Sequence, residues 1–558
     1  MGQLQTIAQD GGAKRCETCC RPCGGVPLNI IDAALDEVFP MSCITMDTFL
    51  NMERMVSHGE LNKMGLLVRP SSTNCVHFVS HEWLSGSHPD PAAVHLRRLQ
   101  QVFREMSEGN VKQFFSDRDW QMMVERPVAQ HDSFAAALEP ANFKKVSEHS
   151  LSMSVRAGLV WLDFCCIPQF VDYSALHHKH FLEEQKLAMH SLPFYVERSD
   201  FFWVLSPTAE HEDFKRDCSF HTWRSRGWCR LEEWANLLSN SSVPPLVVTE
   251  APIITTYGTV AFALDNYNRL ERAPCMGDFT CCSQLHCVKT GSQITPIPCD
   301  KQVTVHVLRK MYRARVRSQL VEAPVLGLAL CGLERMLFAG VENVGTPCLQ
   351  RGVTGELVEE FVGRVGLSAA CAGTDKLQAA VWCQQQVMVH KLVKRLCPGE
   401  PLPRDQCGLD AFDVCVLTGN VEAAEALLDT CIGVGLLHLP NRFGATPLQT
   451  AAWCGHRDLV QSLLDRRAAV NVRNVSASRL SGWSALHYAS VNCHDKCCRL
   501  LLHHQAAVSA RDAQGVTPLE LVTAEKPMVI GNQQTNARSE TIRILLEAMT
   551  EEEVIATI

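Results

Sequence analysis

Residues 441–456, NRFGATPLQTAAWCGH, are one copy of a pattern that recurs in the C-terminal part of the chain. The same order returns as GWSALHYA and as DAQGVTPLEL, and a degenerate copy comes before it. The turn glycines of the four copies lie about 36, 38 and 33 residues apart, at Gly408, Gly444, Gly482 and Gly515. A fixed period of this size indicates stacked structural repeats.

Each position of the pattern has a physical reason. Gly444 supplies a turn that other residues resist. Thr446 caps the first helix, and Pro447 takes its first position, where no amide donor is needed. Paired alanines let helices approach closely, and paired leucines fill the core between neighbours. Residues 401–549 therefore resemble an ankyrin repeat array, which implies a helical solenoid that binds protein partners.

The N-terminal half alternates short apolar runs with helical stretches. The runs have the composition of buried strands and lie at residues 75–80, 158–164, 201–205 and 245–248. Strands that alternate with helices predict a parallel sheet flanked by helices. The ligand crevice of such a sheet lies at the carboxyl ends of its strands. Those ends carry the candidate ligand-binding residues Ser80, His81, Trp83 and Asp163.

Two motifs in this half resemble a Toll/interleukin receptor (TIR) domain. The strand end Phe78-Val79-Ser80 is similar to the family's Phe-x-Ser, and WCRLE at residues 228–232 is similar to its Trp-Cys helix. The resemblance covers residues 73–255 and implies self-association into a homo-oligomer. Some TIR domains cleave NAD between nicotinamide and ribose. The resemblance implies that Glu232 is catalytic, and Trp228 is a candidate stacking contact for the base.

The chemistry leaves two functions open. An N-glycosidic bond breaks through an oxocarbenium-like state, which a carboxylate such as Glu232 stabilises. Glu82, however, stands where plant TIR domains usually carry arginine, and an acidic group repels a pyrophosphate. The first function is a signalling scaffold whose repeats bind proteins, and the second is an NAD glycohydrolase that the repeats direct. In a third interpretation both regions are structural and the active feature lies between them.

The 27 cysteines form a second signal. An odd number cannot pair completely, and a chain without a secretory start is expected in a reducing compartment, with most cysteines as buried thiols. One cluster stands apart: Cys281, Cys282, His286 and Cys299 share a short, turn-rich stretch. Such a set can close a tetrahedral zinc site. A cluster of buried thiols is the alternative, and no cofactor other than this zinc is expected.

The first residues, MGQLQT, fit the pattern for myristoylation at Gly2. One acyl chain binds membranes only marginally, and Cys19 and Cys20 can carry palmitate as the second signal. A chance match in an unstructured start is the alternative. No run of 18 apolar residues occurs, so we expect a cytoplasmic chain that is neither secreted nor membrane-spanning, with acylation as its link to a membrane surface.

The amino-acid composition limits the classes of partner and of fold that remain open. Apolar residues make up 46 % and charged residues 20 % of the 558, with 52 basic against 60 acidic side chains. A formal charge of −8 argues against nucleic acid as a partner. The predicted fold class is α/β plus α, with a TIR-like parallel sheet and a C-terminal ankyrin solenoid. The predicted segments are an acylatable tail (1–30), a helical leader (31–72), the TIR-like domain (73–255), an unassigned cysteine-rich middle region (256–400), the repeats (401–549) and an acidic tail (550–558).

Overall fold

The computed structural model describes residues 37–124, 146–169, 178–239, 243–340, 376–396, 401–523 and 535–549, except residues 268, 284–285, 291–292, 297–298, 323, 406 and 476–479 within those ranges. The predicted acylation residues Gly2, Cys19 and Cys20 lie outside them, as do the tails 1–30 and 550–558. No helix among the described residues is long and apolar enough to span a bilayer.

A mixed sheet forms the core of the N-terminal half. The strands of this half are β1 (Cys43–Thr45), β2 (Leu67–Val68), β3 (Val76–His81), β4 (Leu159–Leu162), β5 (Phe201–Leu205), β6 (Ala209–Glu210), β7 (Asp217–Cys218), β8 (Leu246–Val248) and β9 (Thr255–Thr256). In the described part of the chain the sheet has seven strands, in the order β2-β1-β4-β3-β5-β8-β9. The four inner strands β4, β3, β5 and β8 are parallel, and β1, β2 and β9 pair antiparallel at the edges. The strands β6 and β7 form a separate hairpin.

The predicted parallel strands are confirmed in the four inner strands, each of which overlaps one of the four apolar runs, whereas the antiparallel edges make the whole sheet mixed. The predicted helical leader at 31–72 contains the helices at 46–50 and 58–63 and also two strands. Its described part adds β1 and β2 to the sheet, where Ile44 pairs with Val160 of β4. Ile44 is fully buried, so pairing at the edge of β4 covers its apolar side chain and satisfies its backbone.

Helices cover the sheet and continue into the middle region. They are α1 (Met46–Leu50), α2 (His58–Lys63), α3 (Val94–Ser107), α4 (Asp117–Val124), α5 (Glu148–Ala157), α6 (Asp163–Cys166), α7 (His178–His190), α8 (Leu192–Glu197), α9 (Phe220–Trp223), α10 (Gly227–Leu238), α11 (Thr259–Asp265), α12 (Thr280–Ser283), α13 (Asp300–Glu322), α14 (Pro324–Gly332) and α15 (Glu334–Leu337). A hairpin of β10 (Cys287–Thr290) and β11 (Gln293–Pro296) precedes α13.

The long helix α13 joins the sheet layer to the C-terminal helices. It packs against α7, α8 and α10 on the sheet side and against α14 on the other. Its Val307, Leu308 and Val316 are buried. The next helix, α14, then contacts the first helix of the C-terminal array. The apolar core is therefore continuous from the sheet to the array.

Five helix pairs form the array in the described part of the chain. They are α16 (Lys376–Trp382) with α17 (Gln386–Val393), α18 (Ala411–Thr418) with α19 (Val421–Leu428), α21 (Pro447–Cys454) with α22 (Arg457–Asp465), α23 (Ala485–Val491) with α24 (Asp495–His503), and α25 (Pro518–Thr523) with α26 (Thr535–Ala548). A short helix, α20 (Gly433–His438), lies between the second and third pairs. First helices stack on first helices and second on second, which is the geometry of a solenoid.

The first pair begins at Lys376, inside the segment that the sequence left unassigned. Its residues LQAAVWC, 377–383, align with LQTAAWC at 448–454. The glycine that closes the first helix of the later copy, Gly455, has a φ of +74°, and its counterpart Gln384 takes a φ of +53°. Because a glutamine fills the left-handed position that favours glycine, this copy lacks the glycine that closes the first helix.

We predict that Gly332→Ala destabilises the junction between α14 and the array. A Cβ at Gly332 would lie 2.1 Å from the backbone oxygen of Trp382, which cannot swing aside. Overpacking of this kind lowers the free energy of unfolding by about 1–3 kcal/mol. The matched control is Gly435→Ala in α20, where nothing lies within 4 Å of the added atom. Urea unfolding followed by circular dichroism measures both, and equal midpoints would contradict the prediction.

Candidate functional site

A cluster of polar side chains lies at the carboxyl ends of the inner strands. Ser80 stands near the end of β3, and its hydroxyl donates a hydrogen bond to Glu232 Oε2 at 2.5 Å. The indole of Trp223 donates in turn to Ser80 Oγ at 3.0 Å. Ser80 and Trp223 are buried, whereas Glu232 remains partly exposed. The helix α10 thus directs a carboxyl group to the edge of the sheet.

A second carboxyl group belongs to Asp163, directly after β4. His81 Nε2 lies 3.0 Å from Asp163 Oδ1, and Trp83 Nε1 donates to Asp163 Oδ2 at 2.8 Å. The side chain of Asp163 is 32 % exposed, whereas that of His81 is 1 % exposed. Asp163 is therefore partly exposed, and the buried His81 and the half-buried Trp83 hold its carboxyl group. The structure brings five of the six residues predicted for this site, Ser80, His81, Trp83, Asp163 and Glu232, to this edge.

The strand order explains why these groups meet. Taken in chain order, the four parallel strands lie across the sheet as second, first, third and fourth. The chain leaves β3 toward one side to form β4 and later crosses to the other side to form β5. At such a switch point the connections diverge and leave a crevice beyond the strand ends. Ser80 and Asp163 stand at that crevice.

The two carboxyl groups differ in charge state. Burial raises the pKa of Glu232 to about 8, the Ser80 hydrogen bond opposes this, and the charge of Asp163 adds to it. Burial would also raise the pKa of Asp163, but the His81 charge and the bonds from His81 and Trp83 hold it below its usual value. Near neutral pH one group keeps its proton and the other is ionised. Carboxyl pairs separated in this way are typical of acid and base partners.

Two further ionisable side chains lie beside the cluster. Glu82 is buried, with Arg216 Nη2 3.6 Å from its carboxyl group, and burial raises its pKa. His95, at the start of α3, stacks edge-on against His81 with ring centroids 6.1 Å apart. Burial, with a smaller contribution from His81, lowers the pKa of His95 to about 3, so its imidazole is neutral.

Trp228 is hydrogen-bonded to a different carboxyl group, that of Asp300. Its indole donates to Asp300 Oδ2 at 3.0 Å and packs edge-on against Phe279. Trp223, which the sequence analysis missed, is the tryptophan that reaches Ser80. Its position in the motif SFHTW, ahead of α10, gave no periodic signal, and only the fold brings it there.

A second cluster lies beside Trp228, at the start of α13. The ligand atoms of Cys281, Cys282, His286 and Cys299 all lie within 4.8 Å of one another. Sγ of Cys282 is 3.9 Å from Sγ of Cys281 and 3.9 Å from Sγ of Cys299. His286 Nδ1 is buried without a hydrogen-bond partner among the described residues. The four predicted metal ligands thus converge on one point.

Comparison with known families identifies the C-terminal array. A family model for ankyrin repeats, in three copies, matches residues 377–474, and a single ankyrin repeat matches residues 481–513. The predicted ankyrin repeats are therefore confirmed. The first match begins at the helix pair α16–α17, ahead of the predicted start of the array at residue 401. The TIR assignment of the sheet stays a prediction.

Curated relatives match a part of this chain. Human "Ankyrin repeat and KH domain-containing protein 1" is 34 % identical over 108 residues, 19 % of this chain and 4 % of that protein. Mouse "Ankyrin repeat and SAM domain-containing protein 6" is 35 % identical over 86 residues, 15 % of this chain and 9 % of its own length. "Inhibitor of Bruton tyrosine kinase" from Xenopus laevis is 32 % identical over 122 residues, 22 % and 9 % of the two chains. The chain thus spans less than a tenth of each of these relatives.

We predict that Glu232→Gln removes a pH-dependent loss of stability. The pKa of Glu232 in the folded state, about 8, exceeds the ordinary value of about 4.3. At a pH between these two values the folded state holds a proton that the unfolded chain has released. The free energy of unfolding is therefore highest below about pH 4 and falls by an amount on the order of 4 kcal/mol as the pH rises to about 8.

Thermal unfolding between pH 5 and 9 measures this effect. The Tm of the wild type should fall with pH relative to that of Glu232→Gln. Glu271→Gln, at an exposed position, is the control and should follow the wild type. A Tm difference between wild type and Glu232→Gln that stays constant over this range would contradict the raised pKa.

Proposed function

We propose that this chain is a protein-interaction scaffold that binds a partner through its ankyrin repeats. What supports the proposal is the array itself, since stacked repeats present one long surface. The first helices offer little of that surface, because α18, α21 and α23 are almost entirely buried. The loops that precede the first helices remain exposed.

These loops carry a row of arginines. Arg442, Arg473 and Arg511 are exposed in successive loops, and each donates to a backbone carbonyl, of Cys407, Arg511 and Gly515 respectively. A guanidinium has five N–H donors, so one such bond fixes the group and leaves others for a partner. The side chains of Val472 and Val475 are exposed in the same region. Fixed cations beside apolar groups favour an acidic protein segment with apolar side chains.

A displayed library of random peptides, selected on the immobilised full chain, tests this proposal. Enriched peptides should carry Asp or Glu beside apolar residues. Their affinity should fall by about tenfold or more when Arg442, Arg473 and Arg511 are all changed to Glu, because the attraction becomes repulsion.

The control reverses the same number of exposed charges elsewhere on the array, with Arg457, Arg467 and Lys496 changed to Glu. This variant should bind the selected peptides like the wild type. Peptides that bind both variants equally would reject the loop row as the binding surface.

We propose hydrolysis of NAD at the crevice as a second candidate function. It is supported by the pairing of a protonated and an ionised carboxyl group at the switch point. In the reaction, water adds to the ribose carbon and releases a proton to solvent, and the C–N bond electrons leave with nicotinamide. Glu232 would stabilise the developing positive charge. The cationic nicotinamide ring would itself favour the ionised form of Glu232, because opposite charges lower a carboxyl pKa.

Release of nicotinamide by the purified full chain tests this second candidate. Glu232→Ala should lower the rate by at least about a hundredfold, whereas the exposed Glu271→Ala should leave it unchanged. Because the ionised carboxylate acts, kcat/KM should rise as the pH passes about 8, the pKa of Glu232 in the free protein. Equal rates for wild type and Glu232→Ala would exclude this role. Self-association of the sheet domain into a homo-oligomer stays a prediction, and light scattering on the full chain would measure it.

A further inference from the structure

We propose that Cys281, Cys282, His286 and Cys299 hold one structural zinc ion that fastens the β10–β11 hairpin to the start of α13. This site is separate from the repeats and from the carboxyl crevice, and neither function proposed above requires it. Its ligands come from α12, from the turn before β10 and from the residue before α13. One ion would thus connect three structural elements within one short stretch of the chain.

The distances fit a single tetrahedral ion. With zinc–sulfur bonds of about 2.3 Å, two ligand sulfurs of a tetrahedron lie roughly 3.8 Å apart. The measured separations, Cys281 to Cys282 and Cys282 to Cys299, are both 3.9 Å. A disulfide requires about 2.05 Å, so the sulfurs are placed as neighbours around a centre rather than as a bonded pair.

His286 supplies the observation that points to a ligand. Its Nδ1 atom is buried and has no hydrogen-bond partner among the described residues, although a buried polar atom normally has one. The backbone at His286 has a φ of +56°, a left-handed conformation that is unfavourable for a non-glycine residue. A bond from this ring to the metal would satisfy the atom and offset the strain.

The donor set selects the metal and its role. Three thiolates and an imidazole suit zinc rather than magnesium or calcium, which prefer oxygen. Four protein ligands leave no open position for water or substrate, as in structural sites. The backbone N–H of Asp300 also points at Cys281 Sγ at 3.4 Å, and such a donor stabilises a thiolate.

The proposed site supports a larger part of the fold. Asp300, next to Cys299, begins α13 and accepts the indole hydrogen bond of Trp228 on α10. The helix α13 packs on α10, which also carries Glu232. Metal at the start of α13 would therefore stabilise the joint between the sheet layer and the middle region.

The experiment measures zinc in the purified full chain by mass spectrometry of the metal. The wild type should contain about one zinc per chain, and Cys282→Ser and Cys299→Ser well under half. Cys431→Ser, at an exposed cysteine outside the cluster, is the matched control and should keep about one. Removing the metal with a chelator should lower the Tm of the wild type by about 5 °C, and added zinc chloride should restore it.

A second measurement avoids any dependence on how the variants fold. Cobalt(II) added to the metal-free wild type should give thiolate-to-metal absorption bands that saturate at about one equivalent and disappear when zinc displaces the cobalt. Absence of these bands, or equal zinc in wild type and Cys299→Ser, would overturn the proposal. A disulfide between Cys282 and Cys299 in the protein purified under reducing conditions would also overturn it.

Discussion

One continuous apolar core is the constraint on which the rest of this structure depends. A repeat buries only one face of its helices and needs a neighbour on each side, and a sheet with parallel inner strands needs helices on both faces. The helices α13 and α14 meet both needs, because α13 packs on α10 and α14 packs on α16. The middle region therefore serves as the neighbour of the first repeat, and the close contact at Gly332 follows from that packing.

The crevice follows from the same packing. Strand order places β3 between β4 and β5, and α10 then brings Glu232 to the end of β3. Burial keeps a proton on Glu232, while the bonds from His81 and Trp83 keep Asp163 ionised. Neither charge state follows from residue type, since both groups titrate near pH 4 in an open chain. The environment created by the fold shifts the two pKa values in opposite directions.

Predictions from the sequence succeeded where a local pattern of residues is compatible with only one type of structure. The apolar runs became the inner strands, and the motif WCRLE at residues 228–232 lies in the helix α10. The predictions missed the helix pair α16–α17, because Asp-Lys at residues 375–376 and Gln384 stand where the later copy has Thr446-Pro447 and Gly455. They also did not find β1 and β2 in the predicted helical leader, because strands of two or three residues are too short to show a period. The sequence analysis named Trp228 for the crevice, whereas Trp223 is the tryptophan that reaches Ser80, since side-chain direction depends on what each helix packs against.

The sequence by itself determined the repeats, the parallel inner strands and the residue types at their ends, because period and apolar pattern act locally. It also named the four residues of the Cys/His cluster. The tertiary structure alone decided that Ser80 meets Glu232, that Asp163 receives His81 and Trp83, and that three cysteines and a histidine converge within 4.8 Å. The contacts of Glu232 and Asp163 join residues far apart in the chain, whereas the Cys/His cluster gathers residues of one short stretch. In both cases the distances depend on packing, which residue type and spacing do not specify.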